Sequence, residues 1–292
     1  MLILDKSFKG TLSRDINDYP QGVVLVIDKP YRWTSADVIR KVKFAAIRHF
    51  QKKNLKVGHA GTLDPLATGV LIVCIGNACK NAEKLQASAK EYVAGVCFGA
   101  TTPSYDLEKE VDRYFPLDGV SEESVRGILP SFIGEQDQIA PLFSAKQVDG
   151  VRAYELARKL FRQGKTLDEA AAELLRVGRI NISDMELLSY ADGSLRSGAD
   201  SDGSSAEGAG VTVNTTSGAS GRINVAQIPQ GLPVATIRVA CSKGTYIRAL
   251  ARDLGEKLGS GAFLGSLQRS ASGSFRVEDA LSVEQTIQLL ER

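Results

Sequence analysis

The spacing of apolar side chains along the chain changes several times, and each change predicts an element. Gly22 to Ile27 is an unbroken apolar run that ends at Asp28-Lys29-Pro30, which reads as a buried strand entering a turn. Thr34-Ser35-Ala36-Asp37 then has the form of a capping box, and Val38, Ile39, Val42, Ala46 and Phe50 follow at helical spacing. Lys56 to Gly69 is rich in Gly, Thr and Pro and reads as a shaped loop. It leads into a strand at Val70 to Ile75, a polar helix from Ala78 to about Ala87 and a half-buried alternating strand at Tyr92 to Phe98.

Further on, Ser121 to Leu129 predicts a short helix, Ser144 to Val148 a strand, Asp149-Gly150 a hairpin-type turn, and Ala153 to Gln163 and Leu167 to Leu175 two helices. Arg179 to Ser189 alternates as a strand. From about Ala191 to Gln230 the composition shifts to Gly, Ser, Ala, Asn and Thr without usable period, a stretch too poor in apolar surface to offset its ordering entropy. Regular pattern returns with a strand at Leu232 to Cys241, a helix carrying Ile247, Leu250, Ala251, Leu254 and Leu258, strand material at Phe263 to Phe275 and a final helix at Ser282 to Leu290. Strands and helices are interspersed without regular βαβ alternation, so the expected fold is α+β, a mixed or antiparallel central sheet flanked by helices. The expected organisation is a flexible arm at 1–21, one domain formed by 22–190 and 232–292, and a flexible, dispensable insertion at 191–231.

Composition narrows the function. A 43% hydrophobic and 24% charged chain of 292 residues can bury a sizeable core. Its longest apolar stretch, Val70 to Ile75, falls far below the roughly 20 residues of a membrane helix, and no apolar run follows a basic start. A cytoplasmic protein without membrane contact is expected. Cys74, Cys79, Cys97 and Cys241 form no Cys-x-x-Cys unit and read as buried thiols, and with His49 and His59 the only imidazoles, no metal site is expected. The net charge of +2 is mild, but its distribution is not. Lys29, Arg32, Arg40, Lys41, Lys43, Arg48, Lys52, Lys53 and Lys56 are opposed in their window only by Asp37. That stripe suits a polyanion as well as it suits a solvated helix face.

Chemistry concentrates at three places. Asp64 stands before Pro65 in a glycine-framed loop, Gly58 to Gly69, where the following proline pushes its backbone toward extended values and lets the carboxylate be held outward. A turn-capping aspartate would look the same. Tyr246 and Arg248 place a phenol and a guanidinium two residues apart at a helix start; Arg248 facing Asp64 would keep it ionised and oriented, whereas an ordinary amphipathic helix needs no such partner. Lys90-Glu91-Tyr92 opens a strand with an aromatic beside a base, suited to stacking on a nucleobase or simply to a sheet.

These segments together closely resemble the TruB family of tRNA pseudouridine synthases. The resemblance rests on Gly22 to Pro30, the Gly58 to Gly69 loop, Lys90-Glu91-Tyr92, Ser144-Ala145-Lys146 with Gly150, Arg152, Tyr154 and Glu155, and Ser242 to Arg248 with Asp253-Leu254-Gly255, in the family's order and spacing. It implies a pseudouridine-synthase catalytic fold that isomerises uridine 55 of the tRNA T-loop after flipping it from the stack, with no cofactor and no metal. By that resemblance Asp64 is the catalytic carboxylate, Tyr92 stacks on the base, Tyr246 sits beside C5, and Arg248 pairs with Asp64. His59 helps displace loop bases, and Lys29 and Lys90 lie near RNA. Asp106 belongs to a polar network, although Thr102-Pro103-Ser104-Tyr105 departs from the family's usual Thr-Asp-Thr-Ser. Whether the carboxylate attacks C1′, attacks C6 or removes a sugar proton stays open. The implied partner is the T-arm of tRNA, bound by a monomer with no obligatory protein partner and without the C-terminal PUA domain of many members. A non-catalytic RNA-remodelling protein and a guide-dependent synthase are the rival readings.

Overall fold

The structure, a computed structural model, describes residues 1–141, 147–148, 151–152, 177–193, 223 and 225–291. These residues group into two compact units, one made of 1–93, 223 and 267–291, the other of the described residues between 94 and 193 together with 225–266. The division falls inside two strands, Lys90–Phe98 and Ala262–Ser272.

In the first unit the two most apolar runs become adjacent strands. β1 (Leu2–Leu4) pairs in parallel with β2 (Val23–Lys29). After helix α1 (Ser35–Phe50) and the short β3 (Val57–His59), the long β4 (Ala67–Ile75) lies antiparallel to β2 along one edge. On its other edge β4 takes β3 antiparallel at one end and the Leu267–Arg269 stretch of strand Ala262–Ser272 parallel at the other. The sheet is therefore mixed.

The reason β2 and β4 carry continuous apolar runs rather than alternation is that both faces are covered. Val23, Leu25, Ile27, Leu71, Val73 and Ile75 pack with Val38, Val42, Ala45, Ala46 and Phe50 of α1 and with Val283 and Leu290 of the final helix, Val283–Glu291. Val24, Val26, Val70, Ile72 and Cys74 fill the opposite face with Ala78 and Ala280. Burial pushes the Cys74 thiol up to about 11, and none of the four cysteines is in a disulfide.

One glycine in this sheet has no substitute. Gly69 adopts φ +97°, and a Cβ there would lie 2.3 Å from the carbonyl oxygen of Arg269. Gly69→Ala is therefore expected to destabilise the protein by about 2 kcal/mol or more, read as a lowered Tm with no loss of secondary structure at room temperature.

The first twenty-one residues differ from the expected loose arm. Besides forming β1, which pairs with β2, the segment buries Leu4, Leu12 and Ile16 in the core cluster with Val23, Leu25 and Phe50. The polar composition of the segment concealed these widely spaced anchors.

In the second unit the strand Val177–Ala191 pairs antiparallel with Gly134–Ile139 on one edge and with Val234–Cys241 on the other, with register shifts at Ile182/Asp184 and Leu187/Ser189. The helix Glu122–Ile128 starts with a Ser121/Ser124 capping box. Ile247, Leu250, Ala251 and Leu254 form the buried face of helix Ile247–Lys257. Gln147–Val148 pairs antiparallel with Val151–Arg152, consistent with the expected hairpin; the helices expected at 153–163 and 167–175 lie outside the described residues, as does the centre of the Gly/Ser-rich segment. The ends of that segment are not loose. Val177–Ala191 runs into it, the Ile223 carbonyl accepts a hydrogen bond from Arg32 Nη2 at 3.0 Å, and Ala226 is buried and donates its N–H to the Leu107 carbonyl at 2.8 Å.

Candidate active site

In the first unit the structure builds a rigid seat for Asp64. The capping box forms as the sequence implies: Thr34 Oγ1 accepts from the Asp37 N–H, and the Asp37 carboxylate accepts from the Thr34 N–H. This fixes where α1 begins and so places Ser35, buried in the first turn, against the loop. The Ser35 hydroxyl accepts from the Leu63 N–H at 3.0 Å and donates to the Leu63 carbonyl at 3.2 Å. Asp64 follows directly, half-buried, with its carbonyl closing a turn onto the Ala67 N–H at 3.1 Å.

Two buried cations hold the same loop from within. Lys29 is fully buried, and its ammonium donates to the carbonyls of Pro30 at 3.0 Å, Trp33 at 2.6 Å and Pro65 at 3.2 Å. Arg269, 2% exposed, donates from Nε to Val70 O at 2.7 Å, from Nη1 to Thr62 O at 3.4 Å and from Nη2 to Gly61 O at 3.2 Å. Burial draws the Lys29 ammonium down to about 7, a fall opposed by the negative charges of Asp64 and Asp28. Lys29 thus sits beneath Asp64 rather than on an RNA-facing surface, since its three protons are engaged by backbone oxygens.

The other residues of this unit take distinct places. Tyr92 is half-buried in β5 (Lys90–Phe98), its ring against the cluster that contains Trp33, Leu63 and Ala67. Lys90 is 6% exposed and donates to the carbonyls of Gln86 at 2.5 Å and Ser88 at 2.6 Å, so it ties the start of β5 to the chain leaving α2 (Ala82–Ala87). His59 ends β3; burial, with Arg269 adding to it, holds its imidazole below the ordinary range, and among the described residues its buried Nδ1 meets no hydrogen-bond partner.

In the second unit Asp106 and Arg248 come together. Both are 5% exposed, with Arg248 Nε 3.6 Å from Asp106 Oδ2 and Arg248 Nη1 donating to the Ser104 carbonyl at 3.1 Å. Ser104 Oγ donates to Asp106 Oδ1 at 2.6 Å, and Thr102 Oγ1 donates to the Asp106 carbonyl at 2.7 Å. The departure of Thr102 to Tyr105 from the family pattern therefore still yields a closed network. Tyr246, half-buried at the N-terminus of helix Ile247–Lys257, is set by Gln138, whose side-chain amide accepts from the Tyr246 N–H at 2.9 Å and donates to its carbonyl at 3.1 Å.

Sequence reasoning passed over Ser35, Ser104, Gln138 and Arg269. Arg269 left one trace: it is the one charged residue in the eleven-residue run Ala262–Ser272. Ser35 and Gln138 act on backbone atoms distant in sequence, and Ser104 on the Asp106 carboxylate two residues away, roles without a recognisable local pattern.

The family model for the TruB family pseudouridylate synthase N-terminal domain matches residues 48–197, which hold the Asp64 loop, Tyr92 and Asp106. A tRNA pseudouridine synthase B of Phocaeicola vulgatus is 43% identical over 267 residues, 91% of this chain and 92% of the relative. The chain belongs to the TruB family. Other TruB-family relatives include the tRNA pseudouridine synthase B of Bacteroides thetaiotaomicron, 42% identical over 94% of this chain and 95% of the relative, and that of Deinococcus radiodurans, 35% identical over 89% and 77%. Among solved structures, a Cbf5-Nop10-Gar1 complex matches with TM-score 0.56 and 23% identity over 94% of this chain, which spans 56% of that chain. An H/ACA RNP bound to a substrate RNA containing 2′-deoxyuridine matches with TM-score 0.54 and 21% identity, over 98% of this chain and 61% of that one. At such identity the likeness is one of fold, the α+β pseudouridine-synthase fold with its mixed sheet. No helix among the described residues is long and apolar enough to cross a membrane.

Proposed function

We propose that this chain is a tRNA pseudouridine synthase that isomerises uridine 55 of the T-loop, with Asp64 as the catalytic carboxylate. The observation that carries the reading is the seat of Asp64: a half-exposed carboxylate on a loop whose backbone is fastened at Gly61, Thr62, Leu63 and Pro65 by Arg269, Ser35 and Lys29. Relatives named tRNA pseudouridine synthase B, 36–43% identical over about nine-tenths of the chain, support tRNA as the substrate.

The reaction breaks the N1–C1′ bond of uridine, turns the uracil and forms a C5–C1′ bond, with the C5 proton leaving and N1 gaining one. It needs no electron donor or acceptor. A rigidly held carboxylate beside an everted nucleoside supplies the group that each possible route requires, whether at C1′, at C6 or at the sugar. In this reading Tyr92 stacks on the flipped base and Tyr246 lies beside C5. Arg248, itself positioned by Asp106 and Ser104, steadies the Asp64 carboxylate, and the neutral His59 fills the space a displaced base leaves.

Purified chain, alone and with a chelator present, should release tritium to water from T-arm RNA labelled at uridine C5. Labelled RNA that is bound yet retains its tritium would refute the reading. Arg248→Ala should lower kcat about a hundredfold while KM moves by less than about threefold; a change confined to KM would place Arg248 in RNA binding instead.

A further inference from the structure

Helix α1 is capped, amphipathic and packed through Val38, Val42, Ala45, Ala46, His49 and Phe50. Its opposite side is not uniformly polar. Phe44 stands there 66% exposed, and no other residue of α1 is a large exposed apolar side chain. Arg40 and Arg48 lie one turn to either side of it, with the Arg48 guanidinium 5.7 Å from the ring centroid, and exposed Lys41 and Lys43 flank it. Asp37 pairs with Arg40 at 2.9 Å and Glu291 lies 3.7 Å from Arg48; among the described residues neither lysine meets a carboxylate.

This combination selects a partner. A protein docking on the ring would have to strip water from the surrounding cations, and the centres of protein interfaces are depleted in lysine. A lone ring amid cations suits RNA, because a base offers a flat π-face to the ring while its phosphates meet the ammonium groups. We propose that Phe44 is a stacking platform for an unpaired base of the RNA substrate, with Arg48 against the same base and Lys41 and Lys43 on the adjoining phosphates. This rests on the reading that the substrate is a tRNA, and it adds a contact distinct from the nucleoside that Asp64 receives.

The test compares wild type with Phe44→Tyr, Phe44→Leu and Phe44→Ala, all at an exposed position where folding is undisturbed. Affinity is measured against a full tRNA transcript and against a fully paired RNA duplex of similar charge. Phe44→Ala and Phe44→Leu should weaken tRNA binding about tenfold, Phe44→Tyr should match wild type, duplex binding should not move, and kcat at saturation should stay constant. Equal tRNA affinity of Phe44→Ala and wild type would overturn the platform, as would full retention by Phe44→Leu. Concentration-dependent self-association that Phe44→Ala abolishes, with RNA affinity unchanged, would overturn it in favour of a protein contact. Tritium release by wild type is followed in parallel: its absence despite Phe44-dependent binding would refute the enzymatic reading and leave the platform intact.

Discussion

Asp64→Asn should lower kcat by at least about a thousandfold while leaving tRNA affinity within a few-fold of wild type. The substitution keeps shape and removes charge. The loop should not move, because its fastenings use backbone atoms: the Leu63 N–H and carbonyl on Ser35, the Pro65 carbonyl on Lys29, and the Gly61 and Thr62 carbonyls on Arg269. Single-turnover tritium release and a binding titration on the same RNA separate the two effects. Turnover near the wild-type rate would remove Asp64 from the chemistry altogether.

Lys29→Met should give the largest loss of stability. The ammonium serves the carbonyls of Pro30, Trp33 and Pro65 in a fully buried position, so methionine fills the space but leaves three acceptors unmet. At about 1 kcal/mol or more for each, the cost is about 3 kcal/mol, which corresponds to a Tm fall of roughly 6 to 10 °C. The loss should depend on pH, with a definite sign. Burial, the largest cause, lowers the Lys29 pKa from 10.5 to about 7 in the folded protein. Between those values the unfolded chain binds more protons than the folded one, so the contribution of Lys29 to stability rises with pH across that window. Wild type should therefore gain stability relative to Lys29→Met from pH 7 toward pH 10, as followed by Tm in matched buffers. A difference that stays flat would mean that the ammonium titrates normally and is not held as the geometry implies.

Much of the local structure could be read in advance because it depends on neighbours in sequence. The capping box of α1 is a four-residue motif, and its two reciprocal hydrogen bonds form between Thr34 and Asp37 as the residue types require. The runs Val23 to Ile27 and Val70 to Ile75 are apolar without alternation, and both became strands covered on two faces. Where the pattern was thin, reading by composition erred: Leu4, Leu12 and Ile16 are too scattered to announce a packed segment, and Ala226 is a small residue in polar company, yet each is buried through contacts made elsewhere in the chain.

The candidate site divides along the same line. Asp64, Tyr92, Tyr246 and Arg248 stood out because glycine, proline and aromatic residues at short spacing are unusual. Ser35, Ser104, Gln138 and Arg269, which hold such groups in place, did not. Lys29 read as a surface cation and is a buried fastening; Lys90 likewise serves the backbone at the start of β5. Asp106 proves to hold Arg248 with Ser104.

By itself the order of residues determined most of the elements and the family, and it singled out Asp64 as the carboxylate proposed for the chemistry, since these depend on spacing within a few positions. Only the tertiary structure decided which charges are buried and which carbonyls they serve. A lysine's sequence neighbours say nothing of its solvent, and it is desolvation, with partners distant in the chain, that turns Lys29 and Arg269 from surface charge into the supports of Asp64.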